Sequence, residues 1–201
     1  MCIRDRDKAT GEPLEEAIVW QCGRASGIAQ EIAEQGHAEE IREATGLRLS
    51  AYFPAAKMAW LLRNGGEERQ KRAADGKLCL GTIDSWLVYK LTGDHAFKTD
   101  FSNASRTQLF NLKTLAWDEK ICEMFGIPVC ALARVCDSDA VYGTTTMEGM
   151  FSEPVPICGV LGDSHAALFG QGCLKPGMIK ATYGTGSSLM MNIGDKPIKS
   201  S

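Results

Sequence analysis

The segment Gly162-Asp163-Ser164-His165-Ala166-Ala167-Leu168-Phe169-Gly170 sets an acid where an apolar run breaks and a helical pattern begins. An aspartate at such a place can accept hydrogen bonds from free backbone N–H groups and complement the helix dipole, a structural role. It can also stand at the mouth of a cleft, where open α/β sheets bind ligands, and take a proton from a substrate hydroxyl. A second segment, Thr182-Tyr183-Gly184-Thr185-Gly186-Ser187-Ser188, reads as a tight turn whose glycines let backbone N–H groups approach a phosphate with no Cβ between them. The same pattern also suits an ordinary hairpin loop. A third set is dispersed: Trp20 with Gln21 and Arg24, then Tyr52 and Phe53. Aromatic residues mostly build cores, yet these suit the apolar face and hydroxyl groups of a small polyol.

Gly162-Asp163-Ser164 also imitates the start of a Gly-Asp-Ser esterase, with Ser164 as nucleophile. That chemistry needs a histidine base, usually from an Asp-x-x-His near the C-terminus. His165 adjoins the serine, no histidine follows it, and no Asp-x-x-His occurs, so the esterase lacks its base.

The elements that must position these residues alternate between types. Residues 17–20 predict a short buried strand, and Ile28, Ile32 and Ile41 a helix with Glu and Gln on its other face. Residues 52–62 predict a helix and 78–83 a strand. Thr82 or Asp84 caps a helix over 85–91 that stops at Thr92-Gly93. Residues 99–110 read as a polar loop entering a strand, 117–125 as a helix ended by Gly126-Ile127-Pro128, 155–161 as a strand and 163–169 as a helix. Residues 179–191 read as two strands joined at 184–186. This alternation predicts an α/β fold. Residues 7–13 read as a turn joining two strands, whereas residues 1–6 carry no periodic pattern and are expected to be an unmatched, non-native leader. A domain rarely begins at the second half of a hairpin, so the chain is expected to be an internal fragment. Gly172 to Gly177 is the expected lobe boundary.

At 201 residues, 44% hydrophobic and 23% charged, the chain can bury one sizeable core or parts of two. A net charge of −3, with Lys and Arg scattered among acids, argues against nucleic-acid binding. No run approaches the roughly 20 apolar residues of a membrane span, and no leader peptide is evident, so a cytoplasmic protein is expected. The 8 cysteines include no C-x-x-C pair, and several have apolar flanks, as in Leu78-Cys79-Leu80 and Ile157-Cys158-Gly159. Reduced, buried thiols are expected. His37, His95 and His165 lie too far apart in sequence to suggest a zinc site.

Taken in order, Val19-Trp20-Gln21, Tyr52-Phe53, Gly81-Thr82-Ile83-Asp84-Ser85-Trp86-Leu87, Thr99-Asp100, Ser102-Asn103-Ala104-Ser105-Arg106-Thr107, Val141-Tyr142-Gly143, Gly162-Asp163 and Thr182-Tyr183-Gly184-Thr185-Gly186 resemble the FGGY family of carbohydrate kinases, and within it the glycerol kinases. The likeness runs over nearly the whole chain. It implies an actin-like (ribonuclease H-like) α/β ATPase lobe of a sugar kinase, incomplete at both ends. Residues 7–174 would be an N-terminal lobe without its first strands, and 175–201 the start of the C-terminal lobe.

The resemblance further implies that Asp163 is the catalytic base, that Trp20, Tyr52, Asp163 and Ser164 meet the substrate, and that Gly184 and Thr185 contact the phosphates of ATP. Mg²⁺ would reach Asp163 only indirectly, with the nucleotide. The partners implied are a small polyol or sugar and ATP, with a homo-oligomer admitted for the full-length parent. The family's first phosphate-binding hairpin and an Arg-Glu pair that grips glycerol would lie upstream, and the adenosine half downstream. The 201-residue polypeptide alone is therefore expected not to phosphorylate a polyol.

Two departures bear on the substrate. Ser164 and His165 stand where glycerol kinases carry two glutamines, and Gly23 replaces the first of two arginines. A kinase for a ketose of the xylulose or ribulose type, or for a larger polyol, is the alternative to glycerol. A non-catalytic kinase-like module is a more distant one, against which Asp163 stands.

Overall fold

In a computed structural model, residues 3–184, 186–196 and 198 are described, with the side chains of residues 3 and 4 excepted. The chain divides into two compact units, residues 1–160 and 161–201.

The first unit starts with β1 (Ile3–Asp7), which pairs antiparallel with β2 (Leu78–Thr82), Ile3 opposite Thr82 and Asp7 opposite Leu78. The absence of periodicity at the start of the sequence did not reveal this strand, because its described side chains are all of charged types, with Asp5 and Arg6 buried and Asp7 half-buried. The turn that follows is built by Asp7, whose Oδ1 accepts from the N–H groups of Ala9 and Thr10, each at 2.8 Å. It closes at Gly11 with φ +72°, where a Cβ would lie 2.1 Å from Tyr89 Oη. Only glycine meets both conditions.

Residues 17–20 do not form the expected strand. The backbone turns at Trp20, with Cys22 N–H donating to the Val19 carbonyl at 3.1 Å. Of the apolar run only Ile18 enters the core, while Val19 and Trp20 are exposed. Ile28, Ile32 and Ile41 are buried as the spacing requires, but on two helices, α1 (Ser26–Glu34) and α2 (Ala38–Thr45). Gly36, at φ +86°, separates them.

Helix α3 (Pro54–Asn64) begins with proline at its first position, where the missing N–H costs nothing. It buries Met58, Leu61 and Leu62 against Ile18, Ile28, Ile32, Leu78, Leu80, Ile121 and Phe125. Each such side chain contributes roughly 1.5–3 kcal/mol. Helix α4 (Gly66–Ala74) has no apolar period and buries only Ala73, which is why it escapes a hydrophobicity search. Its arginines anchor it instead: Arg69 pairs with Asp5 at 3.5 Å and Glu15 at 3.3 Å, and Arg72 with Asp7.

Strand β2 is wholly buried and runs into α5 (Ile83–Leu91), which stops at Thr92 as expected but starts two residues early and lacks the expected cap: Thr82 makes no side-chain cap hydrogen bond, and the Asp84 carboxylate lies inside the helix and accepts from Thr99. Residues 99–110 are more regular than a loop. They contain the end of β3 (Lys98–Asp100) and one turn of helix, α6 (Phe101–Ala104), capped by Asp100. A hairpin of β4 (Phe110–Asn111) and β5 (Ala116–Trp117) leads to α7 (Glu119–Met124), whose cap Asp118 accepts from Ile121 N–H at 3.1 Å. Strand β6 (Arg134–Cys136) lies parallel to β3, and Leu80 bridges in parallel to Leu132. Strands β7 (Gly143–Thr145) and β8 (Val155–Ile157) pair antiparallel. Val88, Ala96 and Tyr142 form a smaller core nearby. The strand expected over 155–161 stops at Ile157, and an irregular stretch follows.

In the second unit, α8 (Asp163–Gly170) packs on a hairpin of β9 (Ile179–Thr182) and β10 (Ser188–Met191), with Ser188 opposite Thr182. Among the described residues, no helix is long and apolar enough to cross a membrane. All described cysteines are free thiols; Cys79, Cys122 and Cys173 are buried, whereas Cys130 and Cys158 are exposed. The apolar flanks of Cys158 do not bury it because β8 and the stretch after it run along the surface.

Candidate functional site

The first unit contains a cavity of about 470 Å³ lined by residues 20–23, Ser26, Ala29 and residues 50–52. The two dispersed aromatic segments meet here. The Trp20 and Tyr52 rings stand edge-on at 5.5 Å between centroids, and Tyr52 meets Phe53 in the same manner at 5.0 Å. Trp20 is 37% and Tyr52 52% exposed, so their faces remain open. Ser26, Ser50 and Gln21 add polar groups among apolar edges, the mixture that suits a small hydroxylated ligand.

Sequence spacing did not reveal several neighbours of this cavity. Cys22 lines it, and its thiol is shifted toward ionisation, first by the Arg24 backbone N–H and then by the Arg24 side chain, whose Nε lies 3.0 Å from Sγ. Arg24 packs its guanidinium over Trp60 at 4.8 Å rather than into the cavity. Behind Phe53, the Arg106 guanidinium sits 5.2 Å from the ring centroid, and burial lowers its pKa against a smaller opposing effect of Tyr52. Gly23 lines the wall itself, so the missing side chain there leaves open volume.

In the second unit, Gly162 occupies the cap position of α8 and Asp163 its first turn. Asp163 is exposed, and its Oδ1 accepts from Ser164 N–H at 2.6 Å. It complements the dipole without capping the helix in the usual way. The irregular stretch after β8 separates it from any strand end, which differs from the expected strand-to-acid junction. The Ser164 hydroxyl lies 3.4 Å from that of Ser188, and buried Lys180 donates to Thr182 Oγ1 at 3.0 Å and Ser188 Oγ at 3.4 Å. Ser164 is thereby tied to the base of the β9–β10 hairpin. In the loop of that hairpin, a Cβ built on Gly184 would meet nothing closer than the Gly186 carbonyl at 3.9 Å. The glycine leaves room on its exposed side. Thr185 lies outside the described residues.

The sequence and the fold can be compared with those of known proteins. Residues 6–170 match the model of the N-terminal domain of the FGGY family of carbohydrate kinases. The chain belongs to the FGGY family. Glycerol kinase of Xanthomonas campestris pv. campestris is 47% identical over 194 residues, which are 96% of this chain and 39% of that protein. The crystal structure of Plasmodium falciparum glycerol kinase with ADP superposes with a TM-score of 0.92 at 34% identity, covering 99% of this chain and 39% of that one. Ligand-bound xylulose kinase of Lactobacillus acidophilus gives a TM-score of 0.80 at 22% identity, covering 94% of this chain and 38% of that one. This FGGY chain thus spans 39% of the length of the glycerol kinases it matches. Its α/β fold is that of the actin-like ATPase lobe of sugar kinases, as the ordered motifs implied.

Proposed function

We propose that this FGGY chain is part of an ATP-dependent polyol kinase that phosphorylates glycerol to glycerol 3-phosphate. The observation that carries the proposal is the 47% identity with a glycerol kinase, continuous over 194 residues. The 22% identity with a xylulose kinase speaks to fold alone.

Within that proposal each residue has a physical task. The Trp20 and Tyr52 rings hold the carbon skeleton, while the hydroxyls and amide along the cavity wall take its polar side. Asp163 is the general base. One of its oxygens is engaged by Ser164 N–H, which orients the carboxylate and leaves Oδ2 for the attacking hydroxyl. Ser164 contacts the substrate less far-reachingly than a glutamine would. Gly184 and Thr185 are proposed to face the phosphates of ATP, and the open space at Gly184 fits the approach of a phosphate oxygen. Bound there, the nucleotide supplies the transferred phosphoryl group. No three His, Cys, Asp or Glu side chains converge among the described residues to cage a metal ion. A Mg²⁺ ion carried by the phosphates, with Asp163 as a nearby carboxylate, suits this chain better, in keeping with the few protein ligands such ions take.

Residues 7–174 are assigned to the N-terminal lobe and 175–201 to the start of the C-terminal lobe. ATP dependence and free thiols among all the described cysteines support a cytoplasmic location. A larger polyol or a ketose is the second reading, favoured by one observation: Gly23, where an arginine was expected, lies in the cavity wall.

The test is Asp163→Asn in the full-length protein. It should lower kcat by about 10²–10⁴-fold while glycerol still binds. Turnover within tenfold of the parent removes Asp163 from the role of base.

A further inference from the structure

We propose that Lys57 is a positioning residue for the Trp20–Tyr52 cavity, its ammonium clamping the Ala51 and Tyr52 carbonyls so that the Tyr52 ring is held edge-on to Trp20. The proposal rests on the polyol reading of that cavity only for its kinetic consequence.

Lys57 is 0% exposed, although lysine is among the residues least often buried. It lies in the first turn of α3, where a positive charge opposes the helix dipole. An apolar side chain there would avoid both penalties, so the charge must be offset by something only a donor can do. Its Nζ donates to the Ala51 carbonyl and, at 3.1 Å, to the Tyr52 carbonyl. Those residues belong to the turn ahead of α3 and form one wall of the cavity. Cys22, which also lines the cavity, interacts electrostatically with the same ammonium. Burial lowers the pKa of Lys57, and the Cys22 sulfur counters part of that effect. One buried cation thus holds two consecutive carbonyls of the cavity lining. The exposed Tyr52 ring meets Trp20 and Phe53 edge-on, and the Tyr52 backbone N–H donates to the Ser50 hydroxyl at 3.1 Å. Supporting groups of this sort fix a binding residue without touching the ligand.

The experiment compares Lys57→Met, which keeps length and removes the donors, with the parent full-length protein. The first readout is amide hydrogen exchange, which does not depend on any substrate. Residues 50–53 should exchange at least about tenfold faster, with the rest of the first unit unchanged. Unchanged exchange at 50–53, or a uniform rise across the unit, overturns the proposal. If Lys57→Met does not fold, Lys57→Gln, which can still serve one carbonyl, takes its place with a smaller rise expected.

The second readout is kinetic, with glycerol and ATP. Lys57→Met should raise KM for glycerol about tenfold, leave KM for ATP unchanged and alter kcat by less than about threefold. Tyr52→Ala should raise the glycerol KM as well, and adding Lys57→Met to it should change KM by less than about twofold, because both act through one group. Full additivity overturns the positioning role. If Tyr52→Ala leaves the glycerol KM unchanged while exchange at 50–53 still responds to Lys57→Met, the polyol reading fails and the clamp stands.

Discussion

Arg6 offers a sharp test of the packing. Its side chain is 0% exposed, and Nε, Nη1 and Nη2 all lack a hydrogen-bond partner among the described residues. Burial lowers its pKa, with Cys79 and Tyr89 opposing that shift. Three orphaned nitrogens at about 1–3 kcal/mol each cost on the order of 5 kcal/mol. The guanidinium is flanked by Tyr89 at 4.3 Å, Phe97 at 4.5 Å and Trp86 at 5.4 Å. Cation–π attraction to these rings recovers about 3 kcal/mol at roughly 1 kcal/mol each. Arg6→Leu removes both contributions and leaves an apolar side chain among aromatic rings. It should stabilise the fold by about 2 kcal/mol, or roughly 6 °C in Tm for a chain of this size. Arg6→Met should behave alike. Thermal and urea unfolding followed by circular dichroism measures the change. A fall in Tm for both variants would refute the reasoning, since the ring contacts would then outweigh the desolvation of the guanidinium.

Two buried carboxyls should respond to pH in opposite directions. Burial raises the pKa of Asp84, whose Oδ2 accepts from Thr99 Oγ1 at 2.6 Å while Oδ1 has no partner, so its native pKa lies above the unfolded value of 3.8. Its contribution is present below that value and lost as pH rises through the native pKa, so Asp84→Asn should be neutral near pH 3.5 and stabilising near pH 7 in urea melts. Burial would also raise Asp100, but hydrogen bonds from Ser102, Ser138 and Asn103 outweigh it and hold its pKa below 3.8. Asp100→Ala should therefore cost about 3 kcal/mol near neutrality and progressively less as pH falls through the native pKa. Equal costs at both pH values would contradict the assignment. At the cavity, Gly23→Arg should fill open wall and improve discrimination for glycerol over larger polyols by about tenfold in kcat/KM. Unchanged selectivity would show that Gly23 does not bound the ligand.

The helices with an apolar face were legible in the sequence. Ile28, Ile32, Met58 and Leu61 lie in the core where their spacing puts them, and the β9–β10 hairpin is joined where its glycines stand. The missed elements lack that signal. Strand β1 buries Asp5 and Arg6, and α4 is held by Arg69 and Arg72 rather than by apolar contacts. Residues 17–20 misled in the other direction, because a turn at Trp20 leaves Val19 and Trp20 exposed and sets Trp20 in the cavity wall. The pairing of Trp20 with Tyr52 was anticipated through the family resemblance. The cations around them were not: Lys57 bonds the Ala51 and Tyr52 carbonyls and Arg106 stacks on Phe53, and nothing in local spacing marks a lysine that will be buried.

The central claim, that this FGGY chain serves a glycerol kinase, is tested most directly by ADP release from the full-length protein with glycerol, erythritol, ribulose and xylulose as acceptors. The account predicts the highest kcat/KM with glycerol and loss of the signal in Asp163→Asn. Preference for a ketose, or ADP release that no polyol stimulates, would contradict it.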